Sequence, residues 1–127
     1  MFVTRLKGPG DEEELIDPSW SQIHSAILRL DGDTLPLLGL DAGKEAPHMS
    51  TGGGKSGRYV CYITFDNQQF YSLVQEAQPN TIIRLIVGGQ EGDYSAEQCV
   101  DLAYVLQAAR LFADAGQLDR SLKWSVS

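Results

Sequence analysis

Arg58–Phe65 is the stretch that most restricts what this chain can fold into. Tyr59, Cys61, Ile63 and Phe65 alternate with Val60, Tyr62 and Thr64. Successive side chains of a strand point to opposite faces, so a period of two predicts a strand with two distinct sides. Asp66-Asn67-Gln68 supplies turn residues, and Gln69–Val74 returns the chain as the second arm of a hairpin. Thr81–Val87 is β-branched and mostly apolar, ends at Gly88-Gly89, and predicts a central strand.

The segments around this β-rich centre carry a helical period. Trp20, Ile23, Ile27 and Leu30 recur at spacings of three and four after Asp17-Pro18. Asp17 is expected to cap free backbone N–H groups there, and Pro18 to occupy the first turn. Asp31-Gly32-Asp33 ends that helix. Asp101 is expected to cap a second helix, Leu102–Ala115, whose apolar stripe is Leu102, Val105, Leu106, Ala109, Phe112 and Ala113, with Gly116 as its stop.

Met1–Lys7 alternates as a first strand. Leu35–Leu40, interrupted by Pro36 and Gly39, predicts an edge strand. Asp41–Pro47 reads as a loop and His48–Gly54 as a weak strand. Gln75–Asn80 and Gly88–Ser95 read as loops, and Leu118, Leu122 and Trp124 as an apolar tail folded back on the core. The order of elements predicts an α+β fold: one domain over residues 1–127, with an antiparallel sheet of about five to six strands and two helices packed on one face.

Charge narrows the partners. Seventeen Asp and Glu stand against ten Lys and Arg, a net charge of −7. Nucleic acids and anionic membranes are bound through basic surfaces, so neither is expected as a direct partner, and a basic protein surface is favoured. Residues 1–50 carry nine acids and four bases, residues 51–87 two and three, and residues 88–127 six and three. The acidity therefore lies at the two ends. No apolar run approaches the ~18 residues of a membrane helix and no signal-peptide core is present, which points to a cytoplasmic protein. Cys61 and Cys99 sit beside apolar residues and read as reduced, buried thiols.

No motif for catalysis survives inspection. Gly52, Gly54 and Gly57 satisfy GxGxxG, but a strand follows where a phosphate-binding helix is required. Gly54-Lys55-Ser56 resembles the end of a P-loop, yet Met49 occupies the position of its first glycine. His24 and His48 have no carboxylate or Cys at zinc-ligand spacing, and no GxSxG elbow exists. No catalytic residue, metal or cofactor is assigned. A small-ligand-binding protein or enzyme using the glycine loops at 52–57 and 88–92 stays open as an alternative. For contacts with a partner, exposure, acidity and aromatic character single out Asp66, Asn67, Gln69 and Tyr71 at the hairpin. The same criteria pick Glu91, Asp93 and Tyr94 in the polar loop, and Asp11, Glu12, Glu13 and Glu14 near the N-terminus.

Several short motifs occur in a fixed order. Toward the C-terminus they are Val87-Gly88-Gly89-Gln90-Glu91-Gly92-Asp93-Tyr94, Val100-Asp101-Leu102, Ala108-Ala109-Arg110-Leu111-Phe112, Gly116-Gln117-Leu118-Asp119 and Ser121-Leu122-Lys123-Trp124. Upstream stand Pro18-Ser19-Trp20, Arg29-Leu30-Asp31-Gly32, Gly52-Gly53-Gly54, Gly57-Arg58-Tyr59-Val60 and Thr64-Phe65-Asp66-Asn67. Over roughly residues 15–125 this set resembles the first-numbered immunity-protein family of bacterial polymorphic toxin systems. The resemblance implies a non-enzymatic antitoxin that binds a cognate toxin domain, often a nucleic-acid deaminase or nuclease, in the producing cell. The chain departs from the family pattern in having Ser95-Ala96 for a Pro-Ala pair, and a Gly39–Pro47 stretch that reads as loopier than the usual strand-turn-strand.

Overall fold

The structure is a computed structural model that describes residues 1–127. In chain order its elements are β1 (Arg5–Lys7), β2 (Glu14–Ile16), α1 (Trp20–Arg29), β3 (Leu37–Asp41), β4 (His48–Gly53), β5 (Arg58–Thr64), β6 (Phe70–Val74), β7 (Ile82–Val87) and β8 (Gln90–Ser95). A 3-10 turn (Ala96–Gln98), β9 (Val100–Asp101), α2 (Leu102–Ala115) and β10 (Lys123–Val126) complete the chain. The main antiparallel sheet runs β10-β6-β5-β4-β3-β1-β2, with β9 paired to β5. β7 and β8 form a separate two-stranded ribbon.

The α+β class is as expected, with more strands than the five to six anticipated. Glu14–Ile16, Gln90–Ser95, Val100–Asp101 and Lys123–Val126 are paired, although their sequences read as loop, helix start or tail. One face of the main sheet carries the core. Leu6, Leu38, Leu40, Met49, Tyr59, Cys61, Ile63 and Leu73 meet Ile23, Ala26 and Ile27 of α1 and Val105, Ala108, Ala109, Phe112 and Ala113 of α2. The alternation in β5 specifies this side: Tyr59, Cys61 and Ile63 are buried while Val60 and Tyr62 are only half-buried. Burial pushes the Cys61 thiol up to about 12, so it behaves as a small hydrophobe.

Several local expectations need correction, among them the Asp101 cap, since Asp101 sits at the cap position of α2 but its side chain bonds Gln75 instead of the helix N–H groups. Asp17 does not cap α1. It adopts a left-handed conformation (φ 52) after β2, and its N–H donates to the Thr4 carbonyl. Ser19 is the cap instead: its Oγ accepts from the Gln22 N–H, and Gln22 Oε1 accepts from the Ser19 N–H, a reciprocal box. β3 is not an edge strand: Pro36 lies just before it, Leu37–Asp41 pair with β4, and Gly39–Asp41 pair with β1 as well. The Gly39–Pro47 stretch is accordingly strand followed by turn, leading into β4.

Nor is Thr81–Val87 central, and Gly88–Ser95 is not a loop. Gly88 (φ 62) and Gly89 (φ 80) form a two-residue turn that reverses the chain at once, so β7 pairs locally with β8. Leu85 is buried beneath this ribbon, while Ile82 is 61% exposed at its far end. Val87 lies over Gly52 of β4, where any side chain would collide with it. The ribbon thus stands on the sheet face that carries no helix.

Gly32 fastens the ribbon down. It has φ 80, its carbonyl accepts from the Gly89 N–H at 2.9 Å, and a Cβ there would run into the Ile86 carbonyl. The turn around it is held by Asp31, whose carboxylate accepts from the Thr34 hydroxyl (2.6 Å), the Leu35 N–H (2.9 Å) and the Asp33 N–H (2.8 Å). These bonds favour the ionised form and lower its pKa to about 2. A depressed carboxylate pKa contributes stability above the unfolded value, lost as pH falls through the folded one. The Asp31–Leu35 turn is therefore expected to hold at pH 4 and loosen toward pH 2. An NMR titration of the Asp31 carboxyl with the Asp33 and Leu35 amides checks this; a midpoint near the ordinary 3.8 contradicts it.

Candidate functional site

Pairing register assigns the other face. Arg5 and Lys7 of β1, Gly39 and Asp41 of β3, His48 and Ser50 of β4, Tyr62 of β5 and Phe70 and Ser72 of β6 share the side opposite the helices. Two shallow depressions, of about 520 and 530 Å³, share Lys7, Gly39 and Ser50 and so form one trough across the sheet. Asp11, Glu12, Glu13 and Glu14 border one end. Asn67 borders the other, beside His48 and Tyr62.

The trough floor is polar, aromatic and fixed. Arg5 Nε donates to Asp41 Oδ1 at 2.9 Å and Arg5 Nη2 to Oδ2 at 3.0 Å, a bidentate pair across adjacent strands. Donating to the Asp41 carboxylate holds the Arg5 guanidinium above its ordinary pKa. Asp41 also accepts from the Gly43 N–H, so both groups are oriented. His48 Nδ1 lies 2.6 Å from the Glu45 carbonyl and Nε2 3.3 Å from the Tyr62 hydroxyl. The His48, Tyr62 and Phe70 rings meet edge-on, with centroids 5.7 and 5.5 Å apart.

The acidic run is not uniform. Glu13 is engaged by Arg29 of α1 through both carboxylate oxygens, at 2.7 and 2.9 Å, and that bond lowers its pKa. Asp11, Glu12 and Glu14 form no ion pair within the chain, which leaves their charge free to meet a partner. The trough therefore carries net negative charge at its rim. It holds no Ser–His–carboxylate or Cys–His arrangement, since His48 is bonded to a backbone carbonyl and a phenol. No cluster of three His, Cys, Asp or Glu suited to a metal occurs in the structure.

Of the residues singled out in the sequence, the structure brings Asp11, Glu12, Glu13, Glu14 and Asn67 to this trough. Asp66 is occupied in the adjacent turn, where Oδ1 accepts from the Gln68 and Gln69 N–H groups. Tyr94 borders a smaller cavity of about 190 Å³ with Val60, Tyr62 and Ser72, at the foot of the ribbon. Glu91 and Asp93 lie on the ribbon's outer side against Arg84, at 4.0 and 3.2 Å. Tyr71 is on the helix side of the sheet, packed on Phe65. Arg5, Asp41, His48, Tyr62 and Phe70 were missed. Arg5 and Asp41 are 36 residues apart and nothing local links them, whereas the 66–68 turn implies that Tyr62 and Phe70 share a face.

The two glycine loops are hairpin ends, β4–β5 at 54–57 and β7–β8 at 88–89. Gly52 and Gly54 are packed under Val87 and against the Leu30 backbone, which closes that part of the first loop, while Gly57 and Gly89 face open space. Other motif residues are likewise structural. Gly116 takes the left-handed conformation that ends α2, and the Trp124 indole N–H donates to the Asp119 carbonyl at 2.9 Å. The sequence as a whole matches one family, described as Immunity protein Imm1, over residues 11–126. The chain belongs to the Imm1 immunity protein family. Among curated proteins, none matches it.

Membership gives the Imm1 chain a toxin as its partner and immunity against that toxin as its function. No helix of the Imm1 chain is long and apolar enough to cross a membrane.

Proposed function

We propose that this Imm1 chain neutralises a nucleic-acid deaminase or nuclease domain in the cytoplasm of the producing bacterium, as a non-enzymatic inhibitor that covers the basic substrate cleft. The observation that carries this reading is the trough rim, where Asp11, Glu12 and Glu14 form no ion pair within the chain. A cleft built to accept phosphates presents Lys and Arg, and carboxylates free of ion pairs at one end of a trough suit such a surface. Asp11, Glu12, Glu14, Asn67 and Tyr62 are the proposed centre of contact. Asp66, Gln69 and Tyr94 lie around it, and Glu91, Asp93 and Tyr71 point elsewhere.

The test is co-expression with the toxin domain encoded beside it. Protection of growth and a purified complex are expected; a toxin that kills regardless, with no complex, ends the proposal. Electrostatic steering adds a kinetic expectation. Raising salt from about 0.05 M to about 0.5 M should slow association roughly tenfold or more, with less effect on dissociation. A rate indifferent to salt in stopped-flow mixing would assign the acidic rim to solubility alone.

A further inference from the structure

β2 is an edge strand with one side unused. Its register with β1 pairs Leu6 with Leu15, and the flanking bonds Asp17 N–H to Thr4 carbonyl and Gly8 N–H to Glu13 carbonyl fix the phase of the ladder. Backbone groups alternate in direction along an antiparallel strand, so those of Glu14 and Ile16 turn away from β1. All three residues of β2 are exposed, Leu15 by 41% and Ile16 by 67%. An edge with open N–H and C=O groups beside apolar side chains is a template for another strand.

Beside this edge runs a groove of about 600 Å³ between β2 and α1. Leu6, Leu15 and Ala26 supply its apolar surface, and Ser21, Gln22 and Ser25 form the helix side. The doubly bonded Glu13–Arg29 pair spans from the acidic run to α1 at the end of the helix. Glu12 and Glu14, free of ion pairs, stand at the same edge.

We propose that an extended segment of the toxin adds to the β2 edge as a further strand, alternating apolar side chains that enter the groove with basic ones that meet Glu12 and Glu14. This rests on the reading that the chain binds a toxin, and it names the mode of contact. Charge selects the occupant. A second copy of the chain pairing edge to edge would bring the same carboxylates together, whereas a basic segment is attracted. The opposite edge, β10, begins with Lys123 and follows Asp119-Arg120, so it has no surplus of acid to attract the same segment.

Amide exchange followed by NMR on the chain with the purified toxin domain of the adjacent gene tests this. The Glu14 and Ile16 amides are expected to exchange at least about tenfold more slowly in the complex, while Trp124 and Val126 of β10 are unchanged. Ile16→Pro removes only an outward N–H and leaves the β1 bonds, which come from Leu15 and Asp17. With the unfolding midpoint retained, it should weaken the complex about tenfold. A complex that forms with Glu14 and Ile16 still exchanging freely overturns the edge proposal and leaves the immunity reading intact. Wild-type chain that forms no complex overturns both. Should Ile16→Pro unfold, the wild-type exchange result decides alone.

Discussion

Truncating Phe112 to alanine is expected to remove about 3–5 kcal/mol of stability, a large part of the roughly 5–15 kcal/mol available to a domain of this kind. Phe112 is fully buried at the centre of the face shared by the helices and the sheet. Its ring meets Phe2 edge-on at 5.7 Å, and Phe2 in turn covers Gly116 at the end of α2. The same place holds the N-terminal segment, since the Phe2 and Val3 N–H groups donate to the Ala113 carbonyl. The alanine variant leaves a cavity and frees this segment together. Urea unfolding checks the magnitude, and a loss below about 1 kcal/mol would show that the site collapses without cost.

Gly32→Ala is the second. Two penalties coincide there: a left-handed backbone (φ 80) that disfavours Cβ, and a collision of that Cβ with the Ile86 carbonyl. Strain of this kind costs about 1–3 kcal/mol, and the backbone collision adds to it. The ribbon must move, because Gly32 also receives its anchoring bond from Gly89. Faster proteolysis near Gly88-Gly89 and weaker toxin binding are expected to appear together, since the ribbon stands on the same sheet face as the trough. A variant with wild-type melting and proteolysis would contradict the proposed anchor. Ser56→Ala, in an exposed hairpin turn, serves as a control.

What the sequence reveals is local. The alternation of Tyr59, Cys61 and Ile63 identifies β5 and its buried side. The stripe through Val105, Ala109 and Phe112 identifies α2, and its stop at Gly116 is also correct. Where two signals compete, the local reading fails. Asp17-Pro18 looks like a cap, yet Ser19 and Gln22 form a reciprocal pair that a single Asp cannot match. Gly88–Ser95 has the composition of a loop, because its backbone pairing with β7 needs no apolar side chain on the outer side. Strand order is non-local, so no period within Leu37–Asp41 marks it as internal. The trough shows the same divide: the acidic run is plain in the sequence, but its separation into one bonded and three free carboxylates depends on Arg29, sixteen residues beyond Glu13.

The segregation of the two sheet faces has an evolutionary consequence. Helix-side residues carry most of the stability, and substitutions among them are penalised whatever the partner. Substitutions at exposed positions of the opposite face typically change stability by within about 0.5 kcal/mol. On the proposed placement of the contact, a toxin that alters its surface could be followed by drift on the trough side of the sheet while the other side holds the chain above its folding threshold. With the toxin contact at the trough and the β2 edge, as proposed, specificity and foldability would be inherited as largely separate traits, most of the buried core lying on the other side of a layer one strand thick.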